Sequence, residues 1–207
     1  MESFIREYNI ETDICDELIA YFHRSDIAPG TTGRGVLNHI KDSTDAEYTD
    51  FSVPVMNEYL RQLHVCLDEY IEEFPYTCYY APFDITEPVR IQWYKPGQGF
   101  KVWHCEETGQ GRLPRRHLVF MTYLNDVYDG GGTHFYHQKY TCKARKGKTV
   151  IWPSQWTYTH RGEISPTESK YIITGWWDFY DSEQEYNEDW DYGKREYKRS
   201  LGRRSAL

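Results

Sequence analysis

Turn-forming residues divide the second half of this chain into short segments in which apolar and polar side chains alternate. Alternation with a period of two is typical of strands with one buried face, and Gly, Pro, Asn and Asp at the boundaries favour turns. The segments that this pattern predicts as strands are 89–95, 100–104, 116–124, 133–137, 148–152, 157–160 and 170–180. Many short strands at roughly ten-residue intervals indicate a barrel or a jelly roll, so we expect a mainly β fold.

The beginning of the chain predicts helices instead. Apolar residues recur at helical spacing over 52–74, where Ser52 is a candidate N-cap. A shorter helix is predicted from a cap at Asp13 to about Phe22. We expect these helices to support one face of the sheet.

Four other segments have a different character. Residues 3–10 alternate well enough for a short strand, whereas 25–50 is polar and broken by Gly and Pro, so we expect a loop with at most an edge strand. Because long loops are often functional, 25–50 and 107–115 are candidate lids. The stretch 181–207 is acidic and then basic, which indicates a solvated tail.

A chain of 207 residues fits one domain. We expect a single domain over 1–180, with helical support in 1–80 and a jelly-roll core in 85–180, followed by the charged tail. Aromatic residues make up 17% of the chain, and they favour strands and pocket walls.

Charge and cysteine usage exclude several classes of protein. A net charge of −8 argues against a nucleic-acid binder, which normally carries a basic excess. The five cysteines are odd in number and contain no C-x-x-C pair, so reduced thiols in a cytoplasmic protein are expected. No stretch predicts a signal peptide or a membrane span. The oligomeric state stays open.

Two histidines and one carboxylate are the residues that most clearly suggest chemistry. His104 and Glu106 are two positions apart, which places both side chains on the same face of a strand. His160 lies far downstream, and Lys170 follows it by ten residues. Two His and one carboxylate are the facial ligand set of a non-haem iron(II) oxygenase, which leaves positions on the metal open.

Other candidate residues have simpler interpretations. His134 and His137 have no neighbouring acid at suitable spacing, and we expect them to serve packing or the surface. Cys105 lies between two of the proposed ligands, but no Cys-His-Asn arrangement accompanies it, so a nucleophilic role is disfavoured.

The order of several short motifs resembles the catalytic core of the prolyl 4-hydroxylase-like Fe(II)/2-oxoglutarate dioxygenases. These motifs are Tyr94-x-Pro96-Gly97-Gln98-Gly99-Phe100, His104-x-Glu106, Arg116 with Tyr123-Leu124-Asn125, Gly131-Gly132-Thr133-x-Phe135, Trp152-Pro153, His160-Arg161-Gly162 and Lys170-Tyr171 with Gly175-Trp176. They cover about 90 residues of 207. The resemblance implies a double-stranded β-helix (a jelly roll).

The resemblance also implies roles for individual residues. His104, Glu106 and His160 would hold the iron, although most of this family carries Asp where this chain has Glu106. The 2-oxoglutarate site would include Lys170 on the distal carboxylate, with further contacts from Tyr94, Tyr123 and Thr174. The substrate side of the iron would be flanked by Arg116 and Trp176.

The activity implied by the resemblance is hydroxylation of an unactivated C–H bond, with peptidyl proline converted to 4-hydroxyproline. The cofactors implied are Fe(II), 2-oxoglutarate and dioxygen, with ascorbate as an optional addition. The partner would be a peptide or protein substrate, and no nucleic acid or membrane is expected. A hydroxylase of a free amino acid or another small molecule is the alternative. A nucleic-acid dealkylase is disfavoured by the acidic charge, and a binding module would not need the four residues together.

Overall fold

The computed structural model describes residues 3–79, 81–109 and 115–180. Strands predominate in these ranges, and two α-helices accompany them, α1 (Thr12–Phe22) and α2 (Pro54–Glu73). The predicted tail, 181–207, and most of the candidate lid 107–115 lie outside the described residues.

Thirteen strands are present in the described ranges, and every pairing between them is antiparallel. They are β1 (Arg6–Asn9), β2 (Ala28–Pro29), β3 (Lys41–Asp42), β4 (Thr44–Tyr48), β5 (Phe83–Asp84), β6 (Val89–Tyr94), β7 (Gly99–Phe100), β8 (Arg116–Tyr123), β9 (Thr133–Phe135), β10 (Tyr140–Cys142), β11 (Lys148–Pro153), β12 (His160–Gly162) and β13 (Lys170–Phe179). The prediction of a mainly β fold is confirmed.

The strands form one large sheet and two small ones. The large sheet runs β1-β11-β8-β13-β6-β4-β2, with β5 added at the end of β13. A second sheet runs β10-β9-β12, and β3 pairs with β7 separately. The site described below lies between the large sheet and the β10-β9-β12 sheet.

Two apolar layers hold these elements together. The helices pack on the outer face of the large sheet, where Tyr59 of α2 is fully buried and its hydroxyl lies 3.1 Å from Oγ1 of Thr122. The inner face of the same sheet packs on the small sheet through large aromatic side chains, including Tyr123, Phe135 and Trp152. Burial of aromatic side chains on this scale makes the inner layer rigid enough to position a site.

Both helices begin one or two residues from the predicted positions. The cap of α1 is Glu11, and Asp13 lies inside the first turn. The cap of α2 is Val53, because the hydroxyl of Ser52 donates to Asp50 (2.6 Å) instead of reaching the helix. The predicted N-caps at Asp13 and Ser52 are therefore wrong, although the helices themselves are confirmed.

The polar segment 25–50 is more ordered than its sequence suggests. It contains β2, β3 and β4, and β4 is an inner strand because it pairs with both β6 and β2. The apolar–polar alternation of a strand does not show in this segment, because some of its buried residues are polar. Lys41 and Asp45 are both buried and form an ion pair with each other. The prediction of a loop with at most an edge strand is wrong. Segment 1–80 thus adds strands to the large sheet as well as the supporting helices.

Several predicted strand ends also differ. The predicted strand 100–104 is limited to β7 and one isolated bridge at His104, and 157–160 is mostly a short 3-10 helix over Trp156–Tyr158. The strands β5 and β10 were not predicted, because three residues or fewer carry too little periodicity. Among the described residues, no helix has the length and apolar character that crossing a bilayer requires.

Candidate metal and 2-oxoglutarate site

An antiparallel bridge brings His104 and His160 together although 56 positions separate them in sequence. The backbone N–H of His104 donates to the His160 carbonyl at 2.9 Å, and the reverse bond is 2.8 Å. The two imidazole rings lie with their centroids 4.3 Å apart. The bridge therefore sets the spacing of the two side chains through the backbone rather than through a flexible loop.

Backbone carbonyls hold both imidazole rings in the same manner. Nδ1 of His104 lies 3.0 Å from the Val102 carbonyl, and Nδ1 of His160 lies 2.9 Å from the Tyr158 carbonyl. A carbonyl only accepts, so each Nδ1 carries a proton, and each Nε2 is the ring nitrogen that faces the cavity and can bind a metal. Burial and the neighbouring His104 lower the pKa of His160, which favours the neutral ring that a metal binds.

Both free Nε2 atoms face one oxygen of Glu106. Oε1 lies 3.4 Å from Nε2 of His104 and 3.5 Å from Nε2 of His160. Burial alone would raise the pKa of Glu106, but its contacts with the two imidazoles hold that pKa well below the usual range. The carboxylate is therefore ionised, as a metal ligand must be.

The second oxygen of Glu106 is occupied by protein groups. Nη1 of Arg116 and Nε1 of Trp176 each donate to Oε2 at 3.1 Å. The guanidinium of Arg116 is held in turn by Glu87, with bonds of 2.7 and 2.6 Å. These contacts turn Oε1, and not Oε2, toward the histidines.

The three side chains fit a divalent metal. In the described part of the chain, His104, Glu106 and His160 are the one group of His, Cys, Asp or Glu residues whose potential ligand atoms lie within 4.8 Å of one another. Two imidazoles and one carboxylate suit non-haem Fe(II), and three protein ligands leave coordination positions open.

A cavity of about 320 Å³ joins this group to Lys170. The Lys170 ammonium is buried and donates to the Gly131 carbonyl at 3.0 Å, and it forms no ion pair within the described residues. Burial lowers the pKa of Lys170 to about 8, and Glu163 opposes the shift at longer range. A buried ammonium without a counter-ion in a cavity fits a carboxylate of a bound ligand.

The other residues expected around 2-oxoglutarate lie at different depths. Tyr94 lines the cavity, its ring centroid is 5.0 Å from Nζ of Lys170, and its hydroxyl donates to Gln92 at 2.6 Å. Thr174 also lines the cavity, but its hydroxyl donates to the Phe120 carbonyl at 2.8 Å. Burial raises the pKa of Tyr94 well above its usual range, so its phenol keeps its proton.

Tyr123 is placed one layer behind the cavity wall. It is fully buried, and its hydroxyl lies 2.7 Å from Oγ1 of Thr133, which does line the cavity. Any contact between Tyr123 and a ligand would therefore pass through Thr133. Sequence reasoning assigned Thr133 no role beyond membership of a motif; the signal that could have identified it is its position two residues before Phe135, on the same inward face of β9.

Arg116 and Trp176 were expected beside the substrate, and both line the cavity. The guanidinium carbon of Arg116 lies 3.5 Å from the centroid of the Trp176 ring, so the two groups stack while both bind Glu106. Sequence reasoning missed this shared contact.

Residues expected to have simple roles lie outside the metal group. Nδ1 of His134 lies 2.6 Å from the hydroxyl of Thr141, and the His137 ring packs edge-on against Trp156. Burial raises the pKa of the Cys105 thiol, which argues against a reactive thiolate.

Residues 89–178 match the sequence profile of the 2OG-Fe(II) oxygenase superfamily, where 2OG is 2-oxoglutarate. This part of the chain belongs to that superfamily. The prediction from the motifs is confirmed: the chain is a dioxygenase that uses Fe(II), 2-oxoglutarate and dioxygen. No curated protein sequence matches the chain.

Solved structures of prolyl hydroxylases share the fold of this dioxygenase. The viral collagen prolyl hydroxylase from Paramecium Bursaria Chlorella virus-1, in a 2OG complex, has a TM-score of 0.68 at 18% identity, covering 86% of this chain and 97% of that one. A Pseudomonas putida prolyl-4-hydroxylase has a TM-score of 0.66 at 15% identity, covering 86% and 94%.

A third similar structure contains a peptide. The prolyl hydroxylase from Trichoplax adhaerens, in complex with a hypoxia inducible factor oxygen degradation domain peptide fragment, has a TM-score of 0.65 at 18% identity, covering 86% of this chain and 84% of that one. These similarities confirm the jelly-roll fold.

Proposed function

We propose that His104, Glu106 and His160 hold the Fe(II) of this dioxygenase, that Lys170 binds the distal carboxylate of 2-oxoglutarate, and that the substrate is peptidyl proline, hydroxylated to 4-hydroxyproline. The observation that carries the metal assignment is the convergence of two Nε2 atoms on one carboxylate oxygen, at 3.4 and 3.5 Å.

When bound, Fe(II) with 2-oxoglutarate and dioxygen supplies the oxidising chemistry, and 2-oxoglutarate leaves as succinate and carbon dioxide. The protein supplies position. The carbonyls of Val102 and Tyr158 accept from each Nδ1 and so turn each Nε2 toward the metal position, and Arg116 and Trp176 hold Glu106 by one oxygen.

The far end of the cavity serves binding and exclusion of water. Lys170 keeps an ammonium among buried side chains, where attraction to a carboxylate is stronger than in water. Apolar side chains of Met121, Trp152 and Ile172 line the cavity and exclude bulk solvent from it.

The support for peptidyl proline is the resemblance of the motifs and the likeness in fold to prolyl hydroxylases, one of them in complex with a peptide. Sequence identity to these structures is 15–18%. A free amino acid or another small molecule is therefore the competing outcome of the experiment.

The test measures 2-oxoglutarate consumption with Fe(II) in the wild type and in His160→Ala, with the exposed His39→Ala as the matched control. We expect consumption in the wild type and the control, and none in His160→Ala. Proline-containing peptides are then incubated with the enzyme, Fe(II) and 2-oxoglutarate, and mass spectrometry measures whether each peptide gains the mass of one oxygen atom. Equal consumption in His160→Ala would refute the metal assignment, and oxidation of free amino acids but not peptides would refute the peptidyl assignment.

A further inference from the structure

Four cationic side chains line the cavity, and they differ in how their charge is balanced. They are Lys41, Arg90, Arg116 and Lys170. Lys41 is paired with the buried Asp45, and Arg116 is paired with Glu87 and Glu106. Lys170 has no ion pair in the described residues and is assigned above to 2-oxoglutarate.

Arg90 is the remaining cation, and its hydrogen bonding is incomplete. Nη2 lies 2.9 Å from Oε1 of Glu47, whose side chain is 51% exposed, so this pair is partly solvated and weak. Nε of Arg90 is buried and has no hydrogen-bond partner. A buried N–H without a partner costs free energy, and a bound acceptor would remove that cost.

The position of Arg90 separates it from the 2-oxoglutarate end. On neighbouring strands β6 and β13, Tyr94 is opposite Lys170, and Arg90 is opposite Thr174. Four residues along a strand correspond to roughly 13 Å. With one carboxylate of 2-oxoglutarate assigned to Lys170 and its other end to the proposed metal, Arg90 is available to a second molecule.

The surroundings of Arg90 place that second molecule next to the metal ligands. The guanidinium carbon lies 5.6 Å from the centroid of the Trp176 ring, whose N–H donates to Glu106. A group bound by Arg90 would therefore lie beside the Trp176 ring, close to the carboxylate of Glu106.

We propose that Arg90 is a specificity-determining residue that binds a carboxylate of the primary substrate. This inference rests on the proposed function of the same cavity and adds the substrate's charge to it. The carboxylate belongs either to a free amino acid, to a peptide C-terminus or to an acidic residue beside the oxidised one. A planar guanidinium binds a carboxylate through two parallel hydrogen bonds, and the exposed Glu47 can give way to a ligand with the same group.

The test compares matched pairs of compounds that differ only in this charge. The pairs are L-proline and L-prolinamide, proline-containing pentapeptides with a free or an amidated C-terminus, and pentapeptides with Asp or Asn beside proline. Binding to protein loaded with Mn²⁺ and N-oxalylglycine, a 2-oxoglutarate mimic, is measured by calorimetry, and kcat/KM is measured with Fe(II) and 2-oxoglutarate.

We expect the anionic member of at least one pair to bind at least about tenfold more tightly, and the pair concerned identifies the source of the carboxylate. This preference should be lost in Arg90→Gln, partly kept in Arg90→Lys and unchanged in Arg61→Gln, which alters an exposed arginine on α2. Glu47→Gln should tighten binding up to about fivefold, because it removes the competing carboxylate.

Two results would overturn the inference: no pair shows a preference for the carboxylate, or Arg90→Gln keeps the preference. In either case, Mn²⁺ binding and substrate-independent 2-oxoglutarate consumption would persist in the wild type if the proposed function holds. Loss of both would refute the proposed function itself.

Discussion

The indole N–H of Trp176 donates to Oε2 of Glu106 at 3.1 Å, while Oε1 of the same carboxylate faces the two histidines. One side chain thus has separate oxygens for the protein and for the proposed metal. Arg116 donates to Oε2 as well. Most of the family has aspartate at this position, and the glutamate here is one methylene longer. The two donors fix the carboxylate at the end of this longer side chain.

Trp176→Phe should weaken divalent metal binding by roughly tenfold or more, because Oε2 loses one of two donors that orient the ligand. The change keeps an aromatic ring at this buried position, although a smaller one, so folding should be preserved. Mn²⁺ titration by calorimetry provides the measurement, with the exposed Trp156→Phe as control. Unchanged Mn²⁺ affinity in Trp176→Phe would show that Arg116 alone positions Glu106.

The KM for 2-oxoglutarate should rise with pH above about 8, approaching tenfold per pH unit, because burial lowers the pKa of Lys170 to about 8 and the neutral amine cannot pair with a carboxylate. Below that pH the ammonium is intact and KM should be flat. Steady-state kinetics between pH 6.5 and 9.5 measure this dependence.

Lys170→Arg serves as the comparison for this pH profile. Arginine stays charged throughout the range, so its KM should be higher, from the poorer fit of the larger group, but independent of pH. A wild-type KM that stays constant to pH 9.5 would contradict the assignment of Lys170.

Lys170→Met should abolish 2-oxoglutarate turnover and yet stabilise the ligand-free protein by about 2 kcal/mol at pH 7. A pKa lowered from 10.5 to about 8 corresponds to about 3 kcal/mol for burying the charge. Loss of the hydrogen bond to Gly131 offsets about 1 kcal/mol of this gain.

Urea unfolding without metal or 2-oxoglutarate measures the difference for Lys170→Met. The gain should shrink between pH 8 and 10, because the wild-type lysine then loses its proton in the folded state. A variant less stable than the wild type at pH 7 would mean that the ammonium has a counter-ion in the free protein.

Asp178→Asn should stabilise the protein at pH 7.5 and have little effect near pH 4. Burial raises the pKa of Asp178 to about 6, and Oδ1 has no hydrogen-bond partner although Thr86 donates to Oδ2. The carboxyl is protonated in both folded and unfolded states below about pH 4, so the cost of its charge appears as pH rises through 4 to 6.

The gain in unfolding free energy expected for Asp178→Asn at pH 7.5 is at most about 3 kcal/mol, because burial raises the pKa of Asp178 from 3.8 to about 6. Urea unfolding at pH 4, 6 and 7.5 provides the measurement, and Asp16→Asn on the exposed face of α1 is the control. An equal effect at all three pH values would exclude ionisation as the cause.

Much of the fold followed from local patterns. Period-two alternation between turns identified β6, β8, β11 and β13, and helical spacing identified α2, because each has enough residues for its periodicity to show. The segment with β3 and β4 was missed because Lys41 and Asp45 are polar at buried positions. Each charge is compatible with burial only because the short connection between β3 and β4 brings the two side chains, four positions apart, into an ion pair.

The sequence by itself determined the chemistry available to this protein. The two-residue spacing of His104 and Glu106, the distant His160 and the lysine ten positions after it predict a ligand set and a cation before any packing is known. Tertiary structure alone decided which atoms meet: Trp176 on Oε2 of Glu106, Tyr123 behind Thr133, and Arg90 with an unpaired N–H. These contacts depend on strand register and on how the two sheets pack face to face. Local sequence periodicity specifies neither.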